Sequence, residues 1–111
     1  MSIYDKKEKS EKLSEVRRKH REAHSKAKQL LIDMGFAIEK DLVISNKPWD
    51  FIAKKHGLTY YIDSKSPFST RKGSFTISLS EIKGMLKLRA TGIPAYLLIL
   101  PDGRNVLFTA T

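Results

Sequence analysis

The chain has 111 residues, 41% hydrophobic and 30% charged, with 21 Lys and Arg against 12 Asp and Glu and a formal net charge of +9. That length fits one domain with a modest core, and the absence of cysteine excludes disulfides and thiolate metal sites while leaving the redox compartment open. The longest apolar run, Ala95 to Leu100, falls far short of the ~20 residues of a membrane-spanning helix. The first residues carry charge rather than the apolar segment of a secretory signal, so a cytoplasmic location is expected (the host-cell cytoplasm for a viral chain). A pI near 9.9 points to a polyanionic partner, nucleic acid first, although the same charge also serves plain solubility.

Residues 1 to 34 hold no Gly or Pro and are dense in Lys, Glu, Arg, Ala and Ser, which predicts a long helix. Asp5 with Glu8 three residues on gives it a capping-box start. Residues 1–15 are polar nearly all round and are expected to fray or to stand out as an extended basic helix. Arg17, Arg18, Lys19, His20 and Arg21 form a basic cluster suited to phosphate, and equally suited to a solvated face laced with Glu–Lys pairs. From Ala23 the apolar positions Ala27, Leu30, Leu31 and Met34 recur at helical spacing, so this half docks on a core, and Gly35 ends it. Phe36 to Ile44 reads as a first strand of mixed alternation. The turn over 45–48 follows, with Pro48 fixing the approach to the next strand.

Trp49 to Lys65 reads as a hairpin turning at His56-Gly57. If those two residues are the loop, Lys55 faces Leu58 and Asp50 falls directly opposite Asp63. Opposed side chains in an antiparallel pair have Cβ atoms about 4.5–5.5 Å apart, and like charges there repel. Strand alternation puts Lys65 on the face of Asp63. Phe51, Ala53, Leu58, Tyr60 and Ile62 form the expected core face. A three-residue loop would slip the pairing and leave Asp50 diagonal to Asp63.

Ser66 to Ser74 is a polar segment in which Arg71 and Lys72 are placed to grip a backbone phosphate, or simply to connect elements. Ser78-Leu79-Ser80-Glu81 starts a second helix that runs to Thr91-Gly92. Ala95 to Leu100 is a continuous apolar strand of the kind buried on both faces. A turn at Pro101-Asp102-Gly103 leads to a last strand, Val106 to Thr109. The order helix, three strands, helix, two strands predicts a single α/β domain over 1–111 with a mixed central sheet of about five strands flanked by helices.

Two carboxylates at adjacent strand ends can hold Mg²⁺, a hard cation that takes one or two carboxylates and keeps several waters. Lys65 beside them suits the offsetting of phosphoryl charge, and the backbone carbonyl of Ser64 lies where it can complete the shell. The bland alternative is a set of weak exposed ion pairs worth ~0–1 kcal/mol.

Asp50-Phe51-Ile52, then Gly57, then Ile62-Asp63-Ser64-Lys65-Ser66 resembles the active-site hairpin of the PD-(D/E)XK nuclease superfamily. It is most similar to the archaeal and viral Holliday-junction resolvases, over roughly residues 22 to 109. The resemblance implies a restriction-endonuclease-like fold and Mg²⁺-dependent hydrolysis of DNA phosphodiesters, with Mn²⁺ able to substitute. It also implies a homodimer and branched DNA as substrate. By match, Asp50 and Asp63 are metal ligands and Lys65 the catalytic lysine. Trp49 stands between Pro48 and the first acid, where the family has proline directly before it. Asp63 replaces the more usual Glu. The family's helix glutamate is matched by His24, on the inner stripe with Ala27 and Leu31, and Glu81 falls where a polar residue often faces the site. Two other readings stay open: a non-catalytic nucleic-acid-binding module on the same fold, and a nuclease of end-trimming or restriction type.

Overall fold

The computed structural model describes residues 3–42, 47–65, 77–100 and 102–109. Its elements are α1 (Ile3–Asp33), β1 (Ala37–Asp41), β2 (Phe51–Lys55), β3 (Leu58–Lys65), α2 (Leu79–Lys87), β4 (Ile93–Ile99) and β5 (Asn105–Thr109), in the order expected. Gly35 closes α1 in a left-handed conformation (φ +96°). Gly35 N–H donates to Ile32 and Phe36 N–H to Leu31, the paired bonds of a Schellman cap.

The sheet is open and mixed, with strand order β1-β2-β3-β4-β5. Only β3 and β4 run parallel, joined by the crossover that contains α2; the other neighbours are antiparallel. β2 and β3 pair Phe51 with Ile62 through to Lys55 with Leu58, so the loop is the two-residue one. His56 (φ 52°) and Gly57 (φ 77°) are both left-handed, as a type I′ turn requires.

The sheet has an apolar layer on each face. Under α1, Ala27 and Leu31 pack with Phe36, Phe51, Ala53, Ile62, Ala95, Leu97 and Ile99. On the α2 side Trp49, Met85 and Tyr96 gather Leu42, Ile52, Tyr61, Ile77 and Leu88. A bulge between Ile38 and Lys40 accounts for the mixed alternation of the first strand. One extra residue reverses every later side chain. Ile38 therefore packs on the α1 layer, while Leu42 belongs to the α2 layer.

Several boundaries differ from the sequence reading. The first strand is described only to Asp41, and residues 43–46 lie outside the described set. The second helix tightens into a 3₁₀ turn over Leu88–Ala90, and the following strand begins at Ile93 rather than Ala95. Leu58, expected in the core, sits beside the hairpin turn and is 50% exposed. At the end of the 3₁₀ turn a Cβ on Gly92 would stand 2.6 Å from the Tyr61 ring and 2.9 Å from the Thr59 carbonyl oxygen. Only glycine lets β4 enter the sheet so close to β3.

Candidate active site

β2 and β3 deliver the two acids. Asp50, just before β2, donates its N–H to the Ile62 carbonyl (2.9 Å), the residue already paired with Phe51, so Asp50 lies one residue off the register that would set it directly opposite Asp63. Asp50 Oδ2 accepts from Ser64 twice, from the backbone N–H at 2.9 Å and from Oγ at 3.1 Å. These bonds fix Asp50 against the end of β3. The approach to Asp50 is anchored by Trp49, buried in the α2-side layer with its ring 5.9 Å from that of Tyr61. The residue that interrupts the family pattern is thus a packing residue.

Asp63 is 8% exposed and, like Tyr61 and Lys65, points to the α2 face of the sheet. Burial, and next the nearby charge of Asp50, push its carboxyl up to about 8. Lys65 lies 3.2 Å from Asp63 Oδ2 and 3.0 Å from Glu81 Oε2. Burial works against the Lys65 ammonium, but Asp63 and Glu81 outweigh it and hold its pKa above the ordinary lysine value. Glu81 stands in the first turn of α2, whose start is capped by Ser78 Oγ accepting from Glu81 N–H at 3.2 Å. One turn on, Gly84 lets the helix lie against Pro48; a Cβ there would meet the Pro48 ring at 3.0 Å. Tyr96 pairs with Asp63 across β3 and β4. Its hydroxyl is buried without a hydrogen-bond partner, as are Asp63 Oδ2 and Glu81 Oε2, among the described residues.

No family model and no curated protein sequence matches the chain.

The α2 face therefore joins Asp63 and Lys65 to Glu81 and Tyr96, with the Asp50 carboxyl close to Asp63. His24 lies elsewhere. Its ring stacks on Phe51 at 4.6 Å, and its Nε2 pairs with Asp41 Oδ1 under α1, so the sheet stands between His24 and Lys65. The bulge in β1 explains this arrangement, because it turns Asp41 to the side of Phe51, where the histidine meets it. Lys28 completes that cluster at 2.8 Å from Asp41. Burial alone would raise the Asp41 carboxyl, but hydrogen bonds and charge from Lys28 and His24 bring it below its usual value.

Arg17, Arg18, Lys19 and Arg21 are all exposed on α1. Arg18 sits 2.7 Å from Glu22 and 4.0 Å from Glu15, and Lys19 lies 3.5 Å from Glu15, so part of the cluster is neutralised within the helix. Arg71 and Lys72 lie outside the described residues. No helix among those residues is long and apolar enough to cross a membrane.

Sequence pattern alone does not point to Tyr96. Within the apolar run AYLLIL it is the one polar-tipped residue, but its place beside Asp63 depends on the parallel β3–β4 register, which local pattern does not encode. A divalent cation is compatible with these groups. The Asp50 carboxyl lies close enough to Asp63 for its charge to act there, and Asp63 Oδ2 is buried without a hydrogen-bond partner. Among the described residues no group of three or more His, Cys, Asp or Glu side chains is set to hold a metal. The shell would therefore rest on two carboxylates, the Ser64 carbonyl and water.

Proposed function

We propose that this chain is a metal-dependent DNA endonuclease of the restriction-endonuclease-like fold, directed at branched DNA in the manner of the resolvases it resembles. The observation that carries the reading is the closeness of the Asp50 and Asp63 carboxyls, with Lys65 3.2 Å from Asp63. Like charges are built into a partly buried site, and the second carboxyl is pushed up to about 8, a destabilised arrangement typical of functional sites. Asp50, Asp63 and the Ser64 carbonyl would hold Mg²⁺, with Mn²⁺ able to replace it. Such a cation supplies polarisation of a phosphoryl oxygen and a bound water of lowered pKa. The chain's own groups do the rest. Ser64 fixes Asp50 through two hydrogen bonds, and Lys65 presents an ammonium to the charge that builds on the phosphoryl oxygens. The exposed arginines of α1 would steer the DNA backbone. A homodimer supplies the second site needed to cut two strands symmetrically.

The test is a panel of four-way junction, fork, duplex and single strand incubated with Mg²⁺. Cleavage is expected from the natural chain and is lost in Asp63→Asn and Lys65→Ala, while DNA binding persists in both. Normal cutting by both variants would overturn the reading. A non-catalytic nucleic-acid-binding module is the second reading, favoured by His24, which pairs with Asp41 and stacks on Phe51 on the far side of the sheet from Lys65. Tight binding without cleavage under any Mg²⁺ or Mn²⁺ condition would establish it.

A further inference from the structure

One ammonium is shared between two acids that come from separate elements. Asp63 belongs to β3, held between β2 and β4. Glu81 belongs to α2, held by the Ser78 cap and by the packing of Gly84 on Pro48. Lys65 bridges them at 3.2 and 3.0 Å, yet both receiving oxygens are buried without a directed hydrogen bond. Tyr96, 3% exposed and paired with Asp63 across β3 and β4, also has its hydroxyl unpartnered, within reach of the charges of all three groups. The pocket holds its cation by proximity rather than by saturated hydrogen bonding. A bond of that kind is readily exchanged.

Resting on the metal reading above, we infer that Lys65 is the resident cation of the Asp63–Glu81 pair and that Glu81 is its positioning residue. When a divalent cation engages Asp63, Lys65 gives up that carboxylate and stays in the site on Glu81. The contested atom is Asp63 Oδ2. An ammonium and a divalent cation repel at close range, and poorly screened surroundings sharpen the repulsion. With Asp63 as its single anchor, a displaced Lys65 would swing out to water. Glu81 gives it a second anchor on the same face, which eases cation entry and keeps the amine beside the reacting phosphate.

The test uses Mn²⁺ alone, titrated by calorimetry without DNA into the natural chain, Lys65→Met, Glu81→Gln and the double variant. Lys65→Met is expected to bind about tenfold more tightly, because the competing ammonium is gone. Glu81→Gln, nearly identical in shape, is expected to bind about tenfold more weakly, because Lys65 then rests on Asp63 alone. The double variant should match Lys65→Met, since Glu81 acts only through the lysine. If Glu81→Gln weakens binding equally in the Lys65→Met background, Glu81 is itself a ligand and the inference falls. Unchanged affinity in either single variant overturns it as well. Mn²⁺ binding by none of the four proteins overturns the metal reading itself, and this inference with it.

Discussion

The two faces of the sheet carry nearly the same chemistry to opposite ends. Under α1, Asp41 meets His24 and Lys28, and its carboxyl is drawn below its ordinary value. On the α2 face, Asp63 meets Lys65, and its carboxyl is pushed up to about 8. Each face thus pairs an aspartate with a lysine at close range. What differs is the third partner, a histidine in one case and a second aspartate in the other, together with depth of burial. The Asp41 cluster satisfies its charges and ties α1 to the sheet. The Asp63 cluster gathers three carboxyls around one lysine and keeps one of them protonated up to about 8, which structure alone has no reason to maintain.

The largest expected effect breaks this symmetry in activity. Asp63→Asn should lower Mg²⁺-dependent cleavage on the order of a thousandfold, the several kcal/mol ascribed to metal-assisted charge stabilisation. Asp41→Asn should leave the rate of the folded protein nearly unchanged. Single-turnover cleavage of a branched substrate measures both. Equal losses would show that the two faces are one functional unit.

Much of this is legible in the sequence, for reasons that differ by residue. The nearness of Asp50 to Asp63 follows from a two-residue loop and strand alternation, both local properties, whereas the one-residue shift at Asp50, whose N–H bonds the Ile62 carbonyl, has no local signature. The caps at Gly35 and Ser78 are likewise local. The partner of His24 is not legible. Helical spacing puts the histidine on the inner stripe correctly, and it is buried there. Which strand residue it meets, however, depends on a one-residue bulge in β1 that carries no sequence signature here. Tyr96 and the α2-side position of Glu81 depend on the parallel β3–β4 pairing, a long-range choice made through the crossover.

Stability should separate the faces in a second way. Leu31 is fully buried in the α1-side layer, and Leu31→Ala should cost about 3 kcal/mol in denaturant unfolding through reduced burial and a residual cavity. The Mn²⁺ affinity of the protein that remains folded should not move, because Leu31 lies across the sheet from Asp63. A change in affinity would mean that α1 packing sets the geometry of the acid pair.

The pH dependence of metal-free stability sharpens the contrast through its sign. The Asp63 carboxyl is raised, so the folded state holds its proton more tightly than the unfolded chain does. Its contribution is complete below the unfolded value near 3.8 and is lost as pH rises through about 8. The Asp41 carboxyl is lowered, so its contribution is present above 3.8 and is lost as pH falls through the depressed value. Urea midpoints measured across this range should show a decline from acid to neutral pH that Asp63→Asn flattens. A separate loss at the acid end should be flattened by Asp41→Asn. If Asp63→Asn left the neutral decline intact, the strain would have to lie in another group.

The smallest effect concerns the exposed helix, where charges are either paired within the element or available to a partner. Arg18 is held by Glu22 at 2.7 Å, whereas no ion pair of Arg17 or Arg21 is seen among the described residues. A guanidinium that neutralises a phosphate releases a counterion, so removing one such group should reduce the slope of log affinity against log salt by about 1. Arg17→Ala and Arg21→Ala should each do so, measured by fluorescence anisotropy in an Asp63→Asn background that binds without cutting. Arg18→Ala should change the slope less, because Glu22 already neutralises that charge and the variant frees an acid beside the DNA. If Arg18→Ala gave as large a change as the other two, the intrahelical pair would open on binding, and the whole basic cluster would act as one phosphate-binding surface.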